Sequence, residues 1–502
     1  MLKHDISKIL TSGGDDRLKL NSDGVNYIHV APSPTSDIVH RSSCTGTHIS
    51  EKNFKKLERI FEDIQASKLH FSNCMENIHD RLRKIFDINK KNSIITIPSG
   101  TDAEYVPLFF AAAYGKKYKY QQIINIITGM GEIGSNSATA AKGLYFSTPA
   151  PSGRTVEVGN KLPGILPVEL IFVSLRQARS ALFISDDRLW KKPLEMALKK
   201  TKTVVLLHVV DTTKLGYRMD VIEEVRHLLR KHPEKLLVVI DSCQSRIDII
   251  RFREYLNIGC MIMMTGSKFE EGPPFSGAVI IPQSITHQLK IDHFSELTPA
   301  LKDYITKYDI SGQMKSFFQA DFSNWMNQGL MARWLCALNN WETYRNINEY
   351  LRIQYIHQWI NAIKSLINTF PNIEFFSGGE LQPGAEGNTN TIVVIKIIKQ
   401  GKPISHNIAK KIYYWLLEDI TENFQMTRLS QKEREALQMR FLIGKPVDLG
   451  EFSVLRIALG AKLVCYIHQN GLSAAIKQDQ KLLCKLSLIV SNFDILHTGL
   501  SV

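Results

Sequence analysis

Long hydrophobic runs are missing from this chain of 502 residues. The longest, such as 391–398, fall far short of the roughly 20 residues that a membrane-crossing helix needs. Lysine, aspartate and glycine are scattered through residues 1–20, where a secretory signal would need an unbroken apolar core. These absences speak against a membrane or secreted protein and for a cytoplasmic one. Cysteine is scarce and unpatterned: seven residues, at 44, 74, 243, 260, 336, 465 and 484, with no Cys-x-x-Cys pair. Reduced thiols follow, and no metal site is expected. A dense basic block is missing too. The formal charge of +13 is spread along the chain and interleaved with acids. That pattern argues against nucleic acid and fits a field that draws in small anions. There is no internal repeat and no low-complexity tract.

What is present, 44% hydrophobic and 22% charged residues, is an ordinary globular composition with length for two or more domains. Short apolar runs at 94–97, 123–128, 170–173, 204–209, 236–240, 261–264 and 278–281 read as buried strands. Amphipathic stretches such as 218–231 separate several of them. Near-continuous apolar strands joined by helices predict an α/β fold, a mainly parallel seven-stranded sheet with helices on both faces. Ligands bind such sheets beyond the carboxyl ends of the strands. Helical runs at 322–344 and 347–366 follow, then strands near 373–376, 391–398 and 453–459. Ser377-Gly378-Gly379 and Gln382-Pro383-Gly384 form a turn-rich linker between the first two of these. The expected division is an N-terminal segment with helices (1–90), a large ligand-binding domain (91–345) and a smaller C-terminal α+β domain (346–502).

Two residues at strand exits carry the chemistry. Asp241 ends the run 236–240, and Lys268 stands 27 positions on, in Thr265-Gly266-Ser267-Lys268. A lysine there can form a Schiff base with an aldehyde. An aspartate at a neighbouring exit can keep a pyridine nitrogen protonated, so that the ring withdraws electrons. Alone, each also serves as a surface charge or a turn residue. Together they point to pyridoxal 5'-phosphate. A phosphate needs converging amides and hydroxyls, and Pro98-Ser99-Gly100-Thr101 follows the strand 94–97 and opens a helical run. Gly100 would let the backbone approach closely, with Ser99 and Thr101 as hydroxyl donors. An ordinary helix cap is the plainer role of this turn.

The stretch Val239-Ile240-Asp241-Ser242-Cys243-Gln244-Ser245, with Lys268 and Gly272-Pro273-Pro274-Phe275-Ser276-Gly277 after it, resembles the aspartate-to-lysine region of class V aminotransferases and cysteine desulfurases. These belong to the fold-type I, aspartate aminotransferase-like, pyridoxal-phosphate enzymes. The resemblance is clearest over 93–281 and weak at the amino terminus. It implies that Asp241 faces the pyridine nitrogen, Gln244 contacts the ring hydroxyl, Thr265 or Ser267 touches the phosphate, and Lys268 carries the cofactor. It also implies a homodimer, with each active site at a subunit interface. Arg456, in Val454-Leu455-Arg456-Ile457-Ala458, resembles the small-domain arginine that holds a substrate carboxylate through a planar fork. Arg41 and Arg176 are alternatives. The polar run 40–50 lines the site entrance or is a plain surface loop.

Gly129-Met130-Gly131-Glu132-Ile133-Gly134 fits a dinucleotide fingerprint after a strand. The acid that such a unit wants about 20 residues on, at the next strand end, has no good candidate: Thr148 to Gly153 is a loop and Glu157 lies in no convincing strand. In the resemblance this loop lies beside the cofactor ring, where a histidine or aromatic usually stacks, and the chain offers Met130, Glu132 and Ile133. No cysteine lies between 347 and 456, which argues against a persulfide-forming desulfurase. His208, Asp211, Thr212 and Thr213 close the strand 204–210, with a core histidine and a turn aspartate as the expected roles. The expected activity is transamination of a small amino acid or amine, with Lys268 as general base. A pyridoxal-phosphate lyase (β-elimination or C–C cleavage) is the alternative, and a non-catalytic binding protein that keeps the fold is a third reading.

Overall fold

The computed structural model describes residues 5–498 except 130, 135, 178–179, 185, 187, 318–321, 323–324, 379–390 and 426–428. Most of the linker 377–384, and Met130 of the glycine loop, therefore lie outside the described residues.

The strands are β1 (Ile38–Arg41), β2 (Ser93–Ile97), β3 (Gln122–Thr128), β4 (Val168–Val173), β5 (Thr203–Val210), β6 (Leu236–Ser242), β7 (Met261–Thr265), β8 (Gly277–Ile281) and β9 (Ile310–Ser311). In the C-terminal part they are β10 (Ile373–Phe375), β11 (Ile392–Lys399), β12 (Lys402–Pro403), β13 (Arg440–Asp448) and β14 (Ser453–Ala458). The large sheet runs β4-β3-β5-β6-β7-β8-β2-β9. It is eight-stranded, one more than expected, because the two-residue β9 pairs with β2. The pairings from β4 to β7 are parallel. Those joining β7 to β8, β8 to β2 and β2 to β9 are antiparallel, so the sheet is mixed. The chain leaves β7 and returns beside it as β8 after residues 266–276, a connection too short for a parallel crossover.

Every residue of β5 and β6 is buried, as both faces of the sheet are covered. Val205, Leu207 and Val209 pack on one face with Val238 and Ile240, against the helices Glu51–Gln65, Phe71–Phe86 and Gln328–Arg345. Val204, Leu206, Leu237 and Val239 pack on the other, against the helix Tyr105–Tyr118. That helix is apolar all round and buried from Tyr105 to Gly115, as a helix inside a core must be. By the same alternation His208 and Asp241 point to its side of the sheet.

The helix expected at 218–231 begins only at Ile222, because Thr213 to Tyr217 turn first and Asp211 bridges to Arg218. The helix expected from 322 starts at Gln328, where the Asn327 side chain accepts from the Leu330 amide. The second sheet runs β1-β13-β14-β11-β10, with β12 beside β11. Its edge strand comes from the amino-terminal segment: β1 lies parallel to β13, Arg41 opposite Ile443. Segment 1–90 is thus shared, with β1 in the small sheet and its helices Glu51–Gln65 and Phe71–Phe86 against the large one. No helix among the described residues is long and apolar enough to cross a membrane.

Candidate active site

Because β2, β3, β5, β6 and β7 share a direction, their carboxyl ends gather Thr101, the Gly129 loop, Asp211, Asp241 and Lys268 at one edge of the sheet. The exits of β2, β6 and β7 are pressed together. A Cβ on Gly100 would stand 3.0 Å from Cys243 Sγ and 3.1 Å from Thr265 Cγ2. A glycine here therefore serves close approach.

Asp241 ends one arm of a buried chain of charge. Its Oδ1 accepts the Cys243 amide at 2.9 Å, and its Oδ2 lies 3.6 Å from His208 Nε2. His208 Nδ1 in turn sits 3.1 Å from Glu104 Oε2. Burial would lower His208, but the facing carboxylates outweigh it and raise it to about 10. Burial would likewise raise Asp241, but protonated His208 and the Cys243 amide hold it below its ordinary value. Burial dominates at Glu104 and pushes it up. The trio has donor atoms close enough to suggest a metal site, within 4.8 Å of one another. Its carboxylates, however, face opposite nitrogens of one ring, the geometry of an imidazolium clamped between two anions. Its effect is to keep Asp241 ionised.

Lys268 is partly buried, and its Nζ donates to the Thr45 carbonyl at 2.5 Å. Burial lowers it to about 8, aided by Arg456 and opposed by Cys44. A minority of the amine, about a fifth, is therefore neutral near physiological pH, far more than for an ordinary lysine. Thr45 belongs to the polar run 40–50, in which Arg41 to Cys44 are buried and Thr45 is half-buried; its hydroxyl accepts from Arg456 Nη2 at 3.3 Å. The run thus forms a wall beside Lys268.

Arg456 is buried in β14, and its fork is turned toward backbone. Nε and Nη2 donate to the Lys445 carbonyl at 3.2 and 2.7 Å, and Nη1 to the Lys214 carbonyl at 3.1 Å. One Nη1 hydrogen remains for a ligand. Arg41 is committed to Asp479 at 2.6 Å. Arg176 pairs with Glu132 and lies over the Tyr217 ring at 4.6 Å. Glu132 therefore faces Arg176, and Ile133 is half-buried. The glycine loop opens no long helix, only Ser137–Ala141, and β4 ends at Val173 without an acid, so the dinucleotide reading loses its phosphate-binding helix and its ribose partner. Asp211 pairs with Arg251 at 2.9 Å, a structural role.

Gln244 is held away from solvent, its amide donating to the Cys44 carbonyl at 3.3 Å and its carbonyl accepting from Arg246 at 3.1 Å. Thr265 Oγ1 donates to the Cys243 carbonyl at 2.7 Å, tying the β6 and β7 exits. Ser99 Oγ donates to Asp102 Oδ2 at 2.6 Å. Among the described residues, the amides of Gly100 and Thr101 and the hydroxyls of Thr101 and Ser267 donate to no protein acceptor. The two amides and the Thr101 hydroxyl, left open at one turn after β2, are what a phosphate would satisfy; Ser267 stands at the exit of β7.

The sequence reading missed Glu104, Thr45 and Arg17, and it did not assign His208 to Asp241. An acid placed just before a wholly apolar helix was the visible signal for Glu104. Thr45 had only the polar composition of its run. Two surface clefts of about 640 and 620 Å³ lie elsewhere, and neither is lined by Lys268, Asp241 or Arg456. The chemistry, and not the volume, marks the site.

No family model matches the sequence. A search of curated proteins finds no match either. Among solved structures, the chain is similar to a NifS-like protein from Rickettsia africae, at 12% identity and a TM-score of 0.48, covering 89% of this chain and 99% of that one. It is also similar to an amine transaminase from an uncultivated Pseudomonas species in a PLP-bound form, at 11% identity and 0.46, covering 83% and 81%. A third is Catharanthus roseus tryptophan decarboxylase in complex with L-tryptophan, at 10% and 0.44, covering 81% and 75%. Likenesses this distant set no residue of this chain against a residue of theirs.

Proposed function

We propose that this chain is a pyridoxal-phosphate-dependent enzyme of the fold-type I kind, acting on a small amino acid or amine through Lys268. The observation that carries the reading is the pairing of a lysine lowered to about 8 with an aspartate held ionised at the same sheet edge. The open donors of Gly100, Thr101 and Ser267 fit a phosphate. When bound, the cofactor supplies an aldehyde for Lys268 and a ring that withdraws electrons.

The chain's residues divide the remaining work. Asp241 is the anion for a protonated ring nitrogen, and His208 with Glu104 keeps its charge in place. Lys268, once free, has the neutral amine to take a proton from a substrate carbon and return it elsewhere. The Thr45 carbonyl orients that amine. Arg456 offers its charge and one N–H to a substrate carboxylate, and the wall 40–50 limits water. Proton movement by Lys268 suits transamination. A homodimer accords with the same reading.

The test is the visible spectrum of the purified protein before and after borohydride, with peptide mapping, for wild type and Lys268→Ala. A band that reduction fixes covalently on Lys268, and that the variant lacks, supports the reading. A protein that takes up no added pyridoxal phosphate overturns it. After one turnover with an amino substrate, an amine left on the cofactor marks transamination, and a regenerated aldehyde with a released keto or cleaved product marks lyase chemistry. Capture without any turnover, unaltered by Lys268→Ala, marks a binding protein.

A further inference from the structure

The amino-terminal arm reaches the turn where the phosphate is proposed to sit. Ile6, Ile9 and Leu10 of its first helix are buried in the core of the large sheet. Beyond them the buried guanidinium of Arg333 gathers the carbonyls of Leu10, Ser12 and Gly13 at 2.9, 2.7 and 3.3 Å, and that of Phe275 at 2.7 Å. This fixes the chain beside the loop that follows Lys268. Arg17 then projects between two rings, its Cζ 4.6 Å from the centroid of Phe275 and 5.3 Å from that of Phe146.

Asp15 grips the guanidinium from one side, through Nε at 2.8 Å and Nη2 at 2.5 Å. On the other, Nη2 reaches Ser99 Oγ and Nη1 reaches Thr101 Oγ1, both at 3.1 Å. Of the five N–H groups of an arginine, one on Nη1 is left open, on the nitrogen that Asp15 does not touch. Thr101, having accepted from Arg17, still has its own proton to donate. A surface strut would not need this much: a nearly buried cation, stacked twice, oriented by a carboxylate, and aimed at two hydroxyls of a turn whose amides are also open.

We infer that the amino-terminal arm completes the phosphate pocket, with Arg17 as the cationic partner of a phosphate monoester bound at Ser99 to Thr101. For the identity of the phosphate's bearer this rests on the function proposed above; the anion site itself does not. A guanidinium suits the task because its planar donors meet phosphate oxygens in fixed directions. The arm's role is then to close the anion end of the site from a segment remote in sequence.

The test measures binding of inorganic phosphate by equilibrium dialysis, and of pyridoxal phosphate and unphosphorylated pyridoxal by spectral titration. It compares wild type, Arg17→Gln and Arg17→Lys, with thermal melting as the check on folding. Loss of one charge-assisted hydrogen bond predicts that Arg17→Gln weakens inorganic phosphate and pyridoxal phosphate roughly ten- to a hundredfold. Pyridoxal capture should stay unchanged, and Arg17→Lys should restore part of the loss. Equal loss of both aldehydes with a lowered melting point, or no loss of either, overturns the inference. If phosphate binds in an Arg17-dependent way while Lys268 captures neither aldehyde, the anion site stands and the cofactor reading falls. If both aldehydes are captured and Arg17→Gln changes nothing, the cofactor reading stands and the anion site falls.

Discussion

The two sides of the candidate site around Lys268 are built in different ways. The Asp241 end is made by neighbouring strands and the turn after β2: His208 and Asp241 stand on one face of one sheet, the turn brings Glu104 to them, and all three are buried with charges that answer one another. The Arg456 end is made by convergence. Thr45 comes from the amino-terminal segment, Lys214 from a turn after β5, and Lys445 and Arg456 from the small sheet, and they meet chiefly through backbone carbonyls. A sheet holds ionised groups at set spacings, which suits a fixed charge. Converging loops crowd like charges: burial lowers Lys214 to about 8, Glu132 opposes that, and Arg456 and Arg176 add to it. That suits an incoming anion.

The largest break in this comparison is expected at the sheet-built end. His208→Leu leaves two buried carboxylates facing each other and should cost about 3–5 kcal/mol, read from urea denaturation. A loss under about 1 kcal/mol would mean that the trio is not a charged clamp. Next comes the titration of Lys268. Its amine is reactive only when neutral, so the rate of its reductive capture by pyridoxal should rise with pH, reach half its plateau at about 8, and level off above. A half-point near the ordinary 10.5 would remove the case for a buried, pre-activated amine.

Between the two ends stands Gly100. Gly100→Ala forces its new methyl against Cys243 and Thr265 and should destabilise by about 1–3 kcal/mol in thermal melts. An unchanged melting point would show that the strand exits can spread. The smallest effect belongs to the converging end. Thr45→Val removes a hydroxyl that accepts from Arg456 and from the Lys445 amide, both at 3.3 Å, and should cost about 0.5–1.5 kcal/mol. Its carbonyl still holds Lys268, so capture by Lys268 should persist. Loss of capture in a folded Thr45→Val protein would contradict the assignment of that contact to the backbone.

Much of the large sheet was legible because its strands announce themselves locally. The apolar runs that became β3, β5 and β6 needed only continuous burial to be read, and Asp241 and Lys268 were visible as polar residues where such runs stop. The small sheet was less legible. β13 carries Gly444 and Pro446, and its pairing with β14 shifts register between Gly444 and Val447, so its pattern is broken where a bulge bends it. β1 is four residues within a polar stretch, and nothing local marks a strand whose partner lies about 400 positions away.

The sequence by itself determined the buried strands, the polar residues at their ends and the scarcity of cysteine, because each depends on neighbours in the chain and on the period of a strand. Only the tertiary structure decided that His208 and Glu104 guard Asp241, that Thr45 holds Lys268, that the Arg456 fork turns to backbone, and that Arg17 arrives at Ser99 and Thr101. Those contacts join residues whose separation along the chain says nothing about their distance in space. They exist because helices pack on a sheet and return remote segments to its edge, and no local pattern encodes where a returning segment lands.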